Sequence, residues 1–331
     1  MDILDQLTDK ARLQAMMDQR KKATTLIDAD QLSAAIKAKV IGQDAVSDAV
    51  AQTLRRRMAI NNREKPIAVF CFAGPPGVGK TYFAKVLSKY LDDGKRALLF
   101  YDMAQFSEAH AASSLFGSPK GYVGSNSYGK LTGDLRNTPK SIVLLDEFEK
   151  AHGEVHKRFL SAWNDGFVTE SSNGEKVSTK DAIFILTTNA AAREIGELAD
   201  KCGDDLDTLS KRAKLALESV QFAPEVLSRI DDVFAFRPLK GMDIARVVAL
   251  ELTALLAQYE VQIESNGIDP QILLSAMEQF ENSSRGGVRE IARGIEKMVV
   301  NQVLEARSKG ASKIRLQQKP DSEAITVEVV S

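Results

Sequence analysis

Apolar and polar residues follow two different patterns along this chain, and the first is typical of buried strands. Apolar runs rich in β-forming residues are separated, for the most part, by stretches with helical spacing. Continuous apolar strands that alternate with helices indicate a parallel sheet covered on both faces. The sequence therefore predicts an α/β fold with a parallel five-stranded core sheet. The predicted strands are residues 67–73, 97–102, 141–146, 182–188 and 232–236.

The second pattern is helical and dominates the start of the chain. Residues 1–39 contain no glycine or proline, and Ile3, Leu4 and Leu7 follow helical spacing. We expect a helix that packs on the body of the protein, or alternatively one that binds a partner. Residues 41–60 form a second predicted helical segment.

The pattern changes again after Pro238. Amphipathic helices follow there, and two short strand-like runs, IRLQ and AITVEVV, end the chain. This change predicts a second, smaller α+β domain that is mainly helical. The predicted parts are an N-terminal helical extension at 1–39, a large domain at 40–238 and a small domain at 239–331, with helices at 243–260, 270–280 and 288–307.

Composition and charge narrow the classes of function. Of the 331 residues, 44% are hydrophobic and 27% are charged, and a net charge of −1 gives no overall attraction for nucleic acid. Cys71 lies in an apolar run far from Cys202, so a disulfide framework is not expected. No apolar stretch approaches the roughly 20 residues of a membrane span, and the first residues lack the pattern of a signal peptide. We therefore expect a cytoplasmic protein that binds neither membrane nor nucleic acid.

A glycine-rich segment, GPPGVGKT, follows the first predicted strand and opens a helix. It satisfies the pattern G-x-x-x-x-G-K-[ST], in which backbone N–H groups and the positive end of the helix dipole surround phosphate oxygens. Lys80 would reach the β- and γ-phosphates of ATP, and the Thr81 hydroxyl would bind Mg²⁺. The predicted ATP-binding residues of this loop are Gly74, Pro75, Pro76, Gly77, Val78, Gly79, Lys80 and Thr81.

Polar residues end two of the other predicted strands. IVLLDE places Asp146 and Glu147 at a carboxyl end, where open α/β sheets bind ligands. Asp146 would orient Mg²⁺, and Glu147 would act as general base on the attacking water. Asn189 ends the next strand and would orient that water. Each of these residues could instead be a helix cap, but their occurrence together with the phosphate loop disfavours that alternative.

Further motifs stand in a characteristic order along the chain: IGQDAV, GPPGVGKT, GSPKGYVG, LLDEFEKAH, TTNAA, PEVLSRIDDVFAFRPL and GGVREIARGIE. In this order and spacing, over roughly residues 40–331, the chain resembles the Clp-type AAA+ unfoldases. The resemblance is greatest to the second ATPase ring of the ClpB and ClpA kind. It implies an AAA+ P-loop domain with a smaller lid domain, ATP hydrolysis with Mg²⁺, and a homo-oligomeric, hexameric ring that acts on protein substrates.

Several roles are implied by matched position in that family. Arg229 resembles the arginine finger that reaches the ATP site of the neighbouring subunit, and a surface salt bridge with Asp231 or Asp232 is its plain alternative. Arg289 resembles the sensor arginine of the lid, although Arg285 and Arg293 lie close in sequence. Ile41, with its neighbours Val40 and Gly42, matches the segment that lines the adenine pocket.

The resemblance also gives a role to an aromatic, glycine-rich loop. GSPKGYVG matches the pore loop of the family, so Tyr122 and Val123, flanked by Gly121 and Gly124, would grip a threaded polypeptide by apolar contact. A surface tyrosine without function is the alternative. SSNGEK, residues 171–176, falls where the family has a second pore loop.

The chain also departs from the family pattern. It carries one ATPase module where ClpB and ClpA carry two, which favours a standalone, single-ring member. Peptidase-docking members carry an Ile-Gly-Leu or Ile-Gly-Phe loop, whereas this chain has Ile195, Gly196 and Glu197. A glutamate does not suit an apolar docking pocket, so a ClpP-like peptidase partner is not expected. His152 and His156 lack the acidic partner of a zinc motif, and we expect packing or surface roles for them.

Three hypotheses of function remain open at this point. The leading one is an ATP-driven, ring-forming motor that unfolds, threads or remodels protein substrates. The first alternative is a nucleotide-switched assembly or scaffold ATPase for a secretion, conjugation or phage-like machine. The second is a DNA-acting AAA+ ATPase, which the charge balance and the aromatic loop disfavour.

Overall fold

A computed structural model gives the arrangement of these segments in space. Within its described part, no helix is long and apolar enough to cross a membrane. The structure describes residue 9 and residues 27–121, 127–203, 205–220, 222–282, 288–318 and 324–330.

The centre of the protein is a parallel sheet of five strands, in the order β2-β3-β6-β1-β7. β1 and β6 are buried along their whole length, which explains their continuous apolar sequence. The predicted α/β fold and its five strands are confirmed. The sheet strands are β1 (Ala68–Ala73), β2 (Ala97–Asp102), β3 (Ser141–Asp146), β6 (Ile183–Thr188) and β7 (Asp232–Ala235), and an antiparallel pair, β4 (Phe167–Thr169) and β5 (Lys176–Ser178), lies between β3 and β6 in the chain.

Helices connect and cover these strands. The α-helices are α1 (Ala29–Lys37), α2 (Asp44–Met58), α3 (Lys80–Tyr90), α4 (Ala112–Phe116), α5 (Lys130–Asn137), α6 (Gly153–Asn164), α7 (Ala192–Cys202), α8 (Leu206–Ser219), α9 (Pro224–Leu227), α10 (Met242–Ala257), α11 (Pro270–Asn282) and α12 (Val288–Ser308).

The two faces of the sheet form separate hydrophobic cores, because side chains alternate along each strand. Val69 and Cys71 of β1 pack on one face, in a cluster with helices α6 to α9. Phe70 and Phe72 pack on the other face, in a cluster with α1, α2 and α3. The sheet is therefore a middle layer between two layers of helices.

Four phenylalanines fill the core beneath the start of α3. The ring of Phe72 lies 5.1 Å from Phe83, 6.0 Å from Phe234 and 5.0 Å from Phe236, measured between ring centroids. Phe72 and Phe83 are fully buried. These contacts fix the first turns of α3 against the sheet.

The C-terminal part has its own core, whose buried residues begin at Leu239. α10 and α12 pack on a three-stranded sheet of order β10-β9-β8, in which the predicted terminal strands pair antiparallel. β8 was not predicted, because Glu264, Asn266 and Gly267 favour a turn, and a register irregularity does occur within it. The strands are β8 (Gln262–Ile268), β9 (Lys313–Gln318) and β10 (Ile325–Val330).

Two predictions of organisation remain open. The division into 1–39, 40–238 and 239–331 stays a prediction. Of the predicted N-terminal extension, the structure describes α1, which Asp28 caps by accepting the backbone N–H groups of Asp30 and Gln31, and a few flanking residues. The rest of that segment, apart from residue 9, lies outside the described residues.

The phenylalanine cluster generates a stability prediction. We expect Phe72→Ala to lower the free energy of unfolding by about 3–5 kcal/mol, because it removes a fully buried ring and leaves a cavity. Urea denaturation followed by circular dichroism measures this change. Phe100→Ala is the matched control on β2, since Phe100 is 42% exposed and its contact with Lys85 is worth at most about 1 kcal/mol. Equal losses for both variants would contradict the prediction.

Candidate functional site

The predicted ATP-binding residues come together at the carboxyl edge of the central sheet. The loop of residues 74–79 joins β1 to α3, and Asp146, Glu147 and Asn189 follow the neighbouring strands β3 and β6. A cleft of about 610 Å³ opens above them, between this edge and the C-terminal part of the chain. Parallel pairing places all these groups on one edge.

The amino end of α3 faces this cleft and is suited to an anion. Gly79 stands at its N-cap in the left-handed region, with φ of 94°. Among the described residues no side chain caps this end, and its first turn carries no acidic residue. The free N–H groups and the helix dipole therefore remain available to a phosphate group.

Lys80 is buried at the base of the cleft. Its ammonium donates to the carbonyl oxygens of Gly74 and Pro75, at 2.8 and 2.6 Å, and to Asn189 Oδ1 at 2.8 Å. Burial lowers the pKa of Lys80 to about 8, although the carboxylates of Glu149 and Asp146 oppose this change. A cation held in this way can exchange a neutral acceptor for a phosphate oxygen, which would also favour its charged form.

Asp146, at the end of β3, contacts both β6 and the first turn of α3 through a single oxygen. Its Oδ1 accepts the hydroxyls of Thr81 and Thr187, each at 2.6 Å. A hydroxyl beside a carboxylate is a donor set that suits Mg²⁺ together with phosphate oxygens. Thr81 and Asp146, which the sequence indicated, therefore fit a nucleotide-bound Mg²⁺.

Glu147 adopts an unusual backbone conformation directly after β3. Its φ is +55°, a left-handed value that costs energy for a residue with a side chain. The Glu147 N–H donates to the hydroxyl of Thr187 at 3.0 Å. Its carboxylate contacts the Asn189 amide at 3.4 Å and the Lys150 ammonium at 2.6 Å. Both Asn189 and Glu147 therefore border the same part of the cleft.

Three residues of this network were missed from the sequence. Thr187 holds both Asp146 and the Glu147 backbone, Lys150 pairs with Glu147, and Glu149 Oε1 accepts the backbone N–H of Asn189 at 3.0 Å. Glu149 and Lys150 stand in the motif LLDEFEKAH, whose spacing is a visible signal. A threonine within TTN carries no comparable signal, because threonine is common in strands.

The apolar end of the cleft is formed by two separate segments. Val40 and Ile41 line it from the segment before α2, and Leu239, Val247 and Leu255 line it from the C-terminal part. Gly42, the neighbour of Ile41, lies beside Asp243 and Leu239 and lines a different depression. The surface that Ile41 helps to form is apolar and suits a flat, weakly polar ring.

Arg289 reaches the cleft from α12. Its guanidinium pairs with Glu251 of α10 at 3.4 Å and is largely exposed. Arg293, one turn further along, also lines the cleft. Arg285, the other arginine of this segment, lies outside the described residues.

Arg229 lies away from this cleft, after α9, and is exposed. Asp231, the carboxylate suggested as its surface partner, pairs with Arg57 at 2.9 Å and accepts the Val69 N–H at 2.8 Å. Within the described part of the chain, no carboxylate forms an ion pair with Arg229.

The loop with the predicted pore residues is described only in part. Gly121 is its last described residue before residue 127, with φ of +95°. Tyr122, Val123 and Gly124 lie outside the described residues. SSNGEK covers most of the connection between β4 and β5 and ends on Lys176, the first residue of β5.

Two other predicted features have ordinary structural roles. Ile195, Gly196 and Glu197 lie within α7, and Ile195 is fully buried in the core. His152 caps α6 by accepting the Glu154 N–H, and His156 stacks on Phe148 with its ring centroid at 4.3 Å.

Comparisons with known proteins agree with this geometry. A family model described as AAA domain (Cdc48 subfamily) matches residues 65–233, and one described as Torsin matches residues 15–108. "Chaperone protein ClpB" of Chlamydia trachomatis is 35% identical over 284 residues, which are 84% of this chain and 32% of that protein. "Chaperone protein ClpB 2" of Parasynechococcus marenigrum is 37% identical, over 86% of this chain and 32% of the relative. "ATP-dependent Clp protease ATP-binding subunit ClpE" of Bacillus subtilis is 36% identical, over 83% of this chain and 39% of the relative.

The chain spans about a third of the length of these relatives. The matched segment contains the phosphate loop, Asp146, Glu147 and Asn189, which the structure gathers at one edge of the sheet. The family match and the site geometry confirm the resemblance found in the sequence: this chain belongs to the AAA+ ATPases of the Clp type.

Proposed function

We propose that this protein is an ATP-hydrolysing, ring-forming motor that unfolds, threads or remodels protein substrates. The observation that supports ATP hydrolysis best is the gathering of Lys80, Thr81, Asp146, Glu147 and Asn189 along one cleft. Such a set combines phosphate binding, a metal position and a general base within one site.

In this proposal the loop and α3 hold the phosphates of ATP. Lys80 moves from its neutral acceptors to the β- and γ-phosphates, and the N–H groups of residues 77–81 surround them. Thr81 and Asp146 would hold Mg²⁺, which would supply positive charge against the phosphate oxygens. Ile41 contacts the adenine base from the apolar end of the cleft.

Glu147 acts as general base on the attacking water. Its carboxylate lies next to the amide of Asn189, so the two side chains can orient one water molecule between them. Lys150, which pairs with Glu147, must release part of that carboxylate for this role. The pair is half exposed and therefore weak enough to be released.

Arg229 completes the site of a neighbouring subunit. It is exposed and lies away from the cleft of its own subunit, so only another copy can bring it to a γ-phosphate. This geometry favours a ring, for which the family resemblance implies six subunits. Arg289 touches the nucleotide from the C-terminal lid, proposed at residues 239–331, and couples the nucleotide to the position of that lid.

Tyr122 carries the mechanical step. With Val123, and flanked by Gly121 and Gly124, it contacts a polypeptide in the centre of the ring. An aromatic ring binds chain segments through apolar area, largely independent of sequence. This suits a motor whose substrates are proteins of varied sequence.

Removal of the general base gives the first test. Glu147→Gln keeps the size of the side chain and is expected to bind ATP while its turnover falls by about 10²–10⁴-fold. Binding is measured with a fluorescent ATP analogue and turnover by phosphate release. Glu154→Gln, an equivalent change on the exposed face of α6, serves as the control and should leave turnover unchanged. Retained turnover in Glu147→Gln would exclude this residue as the base.

Mixing variants tests the action of Arg229 on a neighbouring subunit. Arg229→Ala is expected to lower turnover by about 10³-fold or more, as for arginine fingers of other nucleotide hydrolases. Mixing it with Glu147→Gln should restore part of the activity, because each variant supplies the group that the other lacks. Arg193→Ala, which removes another exposed arginine, is the control. Full turnover by Arg229→Ala alone would contradict the proposal.

Substitution of the loop tyrosine separates hydrolysis from mechanical work. Tyr122→Ala is expected to keep ATP turnover within about two-fold and to lose at least ten-fold in the rate of protein unfolding, because the apolar grip is lost. A fluorescent protein carrying an unstructured tail reports unfolding. Tyr122→Phe keeps the ring and should retain most of the rate. Undiminished unfolding by Tyr122→Ala would exclude threading by this residue.

A further inference from the structure

A buried carboxylate outside the ATP site links two loops. Glu170 follows β4 and is fully buried. One of its oxygens accepts the N–H of Gly129 at 2.9 Å and the hydroxyl of Thr132, and the other accepts the N–H of Ser172 at 2.9 Å. A buried carboxylate needs such donors, and these come from two different segments of the chain.

The first segment is the neck of the loop between α4 and α5. Gly117 starts this loop and Gly129 ends it, and their backbones are in contact: a Cβ added at Gly129 would lie 2.2 Å from the Gly117 nitrogen. A Cβ added at Gly117 would lie 1.6 Å from Glu170 Oε1. Both positions therefore require glycine, and the Glu170 carboxylate closes the neck.

The second segment is the turn between β4 and β5. The Ser171 N–H donates to the Phe116 carbonyl at 2.8 Å, and the Gly174 N–H donates to the Glu170 carbonyl at 2.9 Å. Glu170 therefore begins this turn and holds the neck of the first loop at the same time.

A second contact joins the same two segments further out. The Tyr128 hydroxyl contacts the carboxylate of Glu175 and accepts the side-chain amide of Asn173 at 2.9 Å. Arg136 lies over the Tyr128 ring at 4.9 Å and pairs with Glu175. This exposed cluster is weaker than the buried one and lies beside it.

The charge on Glu170 is itself stabilised by the contacts. Burial alone would raise the pKa of Glu170, but the hydrogen bonds from Thr132, Ser172 and Gly129 outweigh it and lower the pKa below its usual value. The carboxylate is therefore ionised at neutral pH, and each of its bonds is a charge-assisted one.

We infer that Glu170 is a positioning residue that couples the neck of the 117–129 loop to the 170–175 turn, so that the two loops shift together. This inference rests on the proposed function, in which the first loop contacts the substrate, and on the family resemblance, which implies a second pore loop at residues 171–176. It extends that function, because it assigns the coordination of the two loops to one buried side chain.

Amide hydrogen exchange of the full chain tests this coupling without nucleotide or substrate. Glu170→Gln keeps the shape of the side chain but turns one acceptor into a donor. We expect exchange to accelerate on the order of ten-fold at the neck of the first loop, where the Gly129 N–H loses its acceptor, and in the 170–175 turn, where the Ser172 N–H loses its acceptor. Glu154→Gln, an exposed change on α6, should accelerate neither segment.

Thr132→Val provides the sharper test, because Thr132 contacts Glu170 only from the side of the first loop and valine preserves its shape. Coupling predicts faster exchange in the 170–175 turn as well. Acceleration restricted to residues 117–132 in this variant would overturn the inference, whether or not Glu170→Gln folds.

A remodelling assay separates this inference from the proposed function. Glu170→Gln should keep basal ATP turnover within about two-fold while the amount of substrate unfolded per ATP falls several-fold. If amide exchange accelerates in both segments but the amount of substrate unfolded per ATP is unchanged, the link between the loops is supported and their role in threading is contradicted. If amide exchange accelerates in only one of the two segments, the inference is overturned, whatever the amount of substrate unfolded.

Discussion

Parallel pairing of β3 and β1 with β6 is the constraint on which this site depends. The shared register brings Asp146, Thr187 and the loop after β1 to one edge of the sheet, and Asp146 Oδ1 then binds hydroxyls from both sides at 2.6 Å. This pairing also sets the backbone of Glu147, whose N–H bonds to Thr187. A slip of one residue in either pairing would turn the side chains of the shifted strand to the opposite face of the sheet. The sheet thus determines the chemistry as well as the fold.

Polar groups bind two of the charged side chains that the protein buries. Lys80 and Glu170 are both buried, and each is satisfied by polar groups from separate segments rather than by a single opposite charge. Burial lowers the pKa of Lys80 to about 8, and the neutral oxygens that bind its ammonium compensate its charge only in part. Glu170 accepts directed N–H and O–H donors, and its pKa falls below the usual value, so that it stays ionised. An incompletely compensated charge is suited to binding a ligand, whereas a fully bonded one is suited to holding backbone segments in place.

Much of the sheet and of its phosphate loop could be predicted, because their signals are local. Apolar runs mark β1 and β6, and the spacing from Gly74 to Thr81 follows a known phosphate geometry. The strand β8 could not be predicted, since its polar residues are held by pairing with β9 and by no pattern of their own. Thr187 and Glu170 were missed for a related reason. Their roles arise from contacts with segments about 40 residues away in the chain, at Asp146 and at Gly129, which a linear pattern does not record.

The C-terminal part of the chain contributes Arg289 to the cleft, and the ion pair that holds this arginine is weak. Arg289 pairs with Glu251 at 3.4 Å, and 69% of the arginine side chain is exposed. An exposed pair of this kind contributes at most about 1 kcal/mol, so a triphosphate in the adjoining cleft can take over the guanidinium with little loss. Gln43, which is buried, holds the backbone of Arg237 through two hydrogen bonds and so fixes the chain just before the C-terminal part begins. A fixed connection together with a weak, exposed ion pair supports the proposal that nucleotide binding reorients one part of the chain against the other.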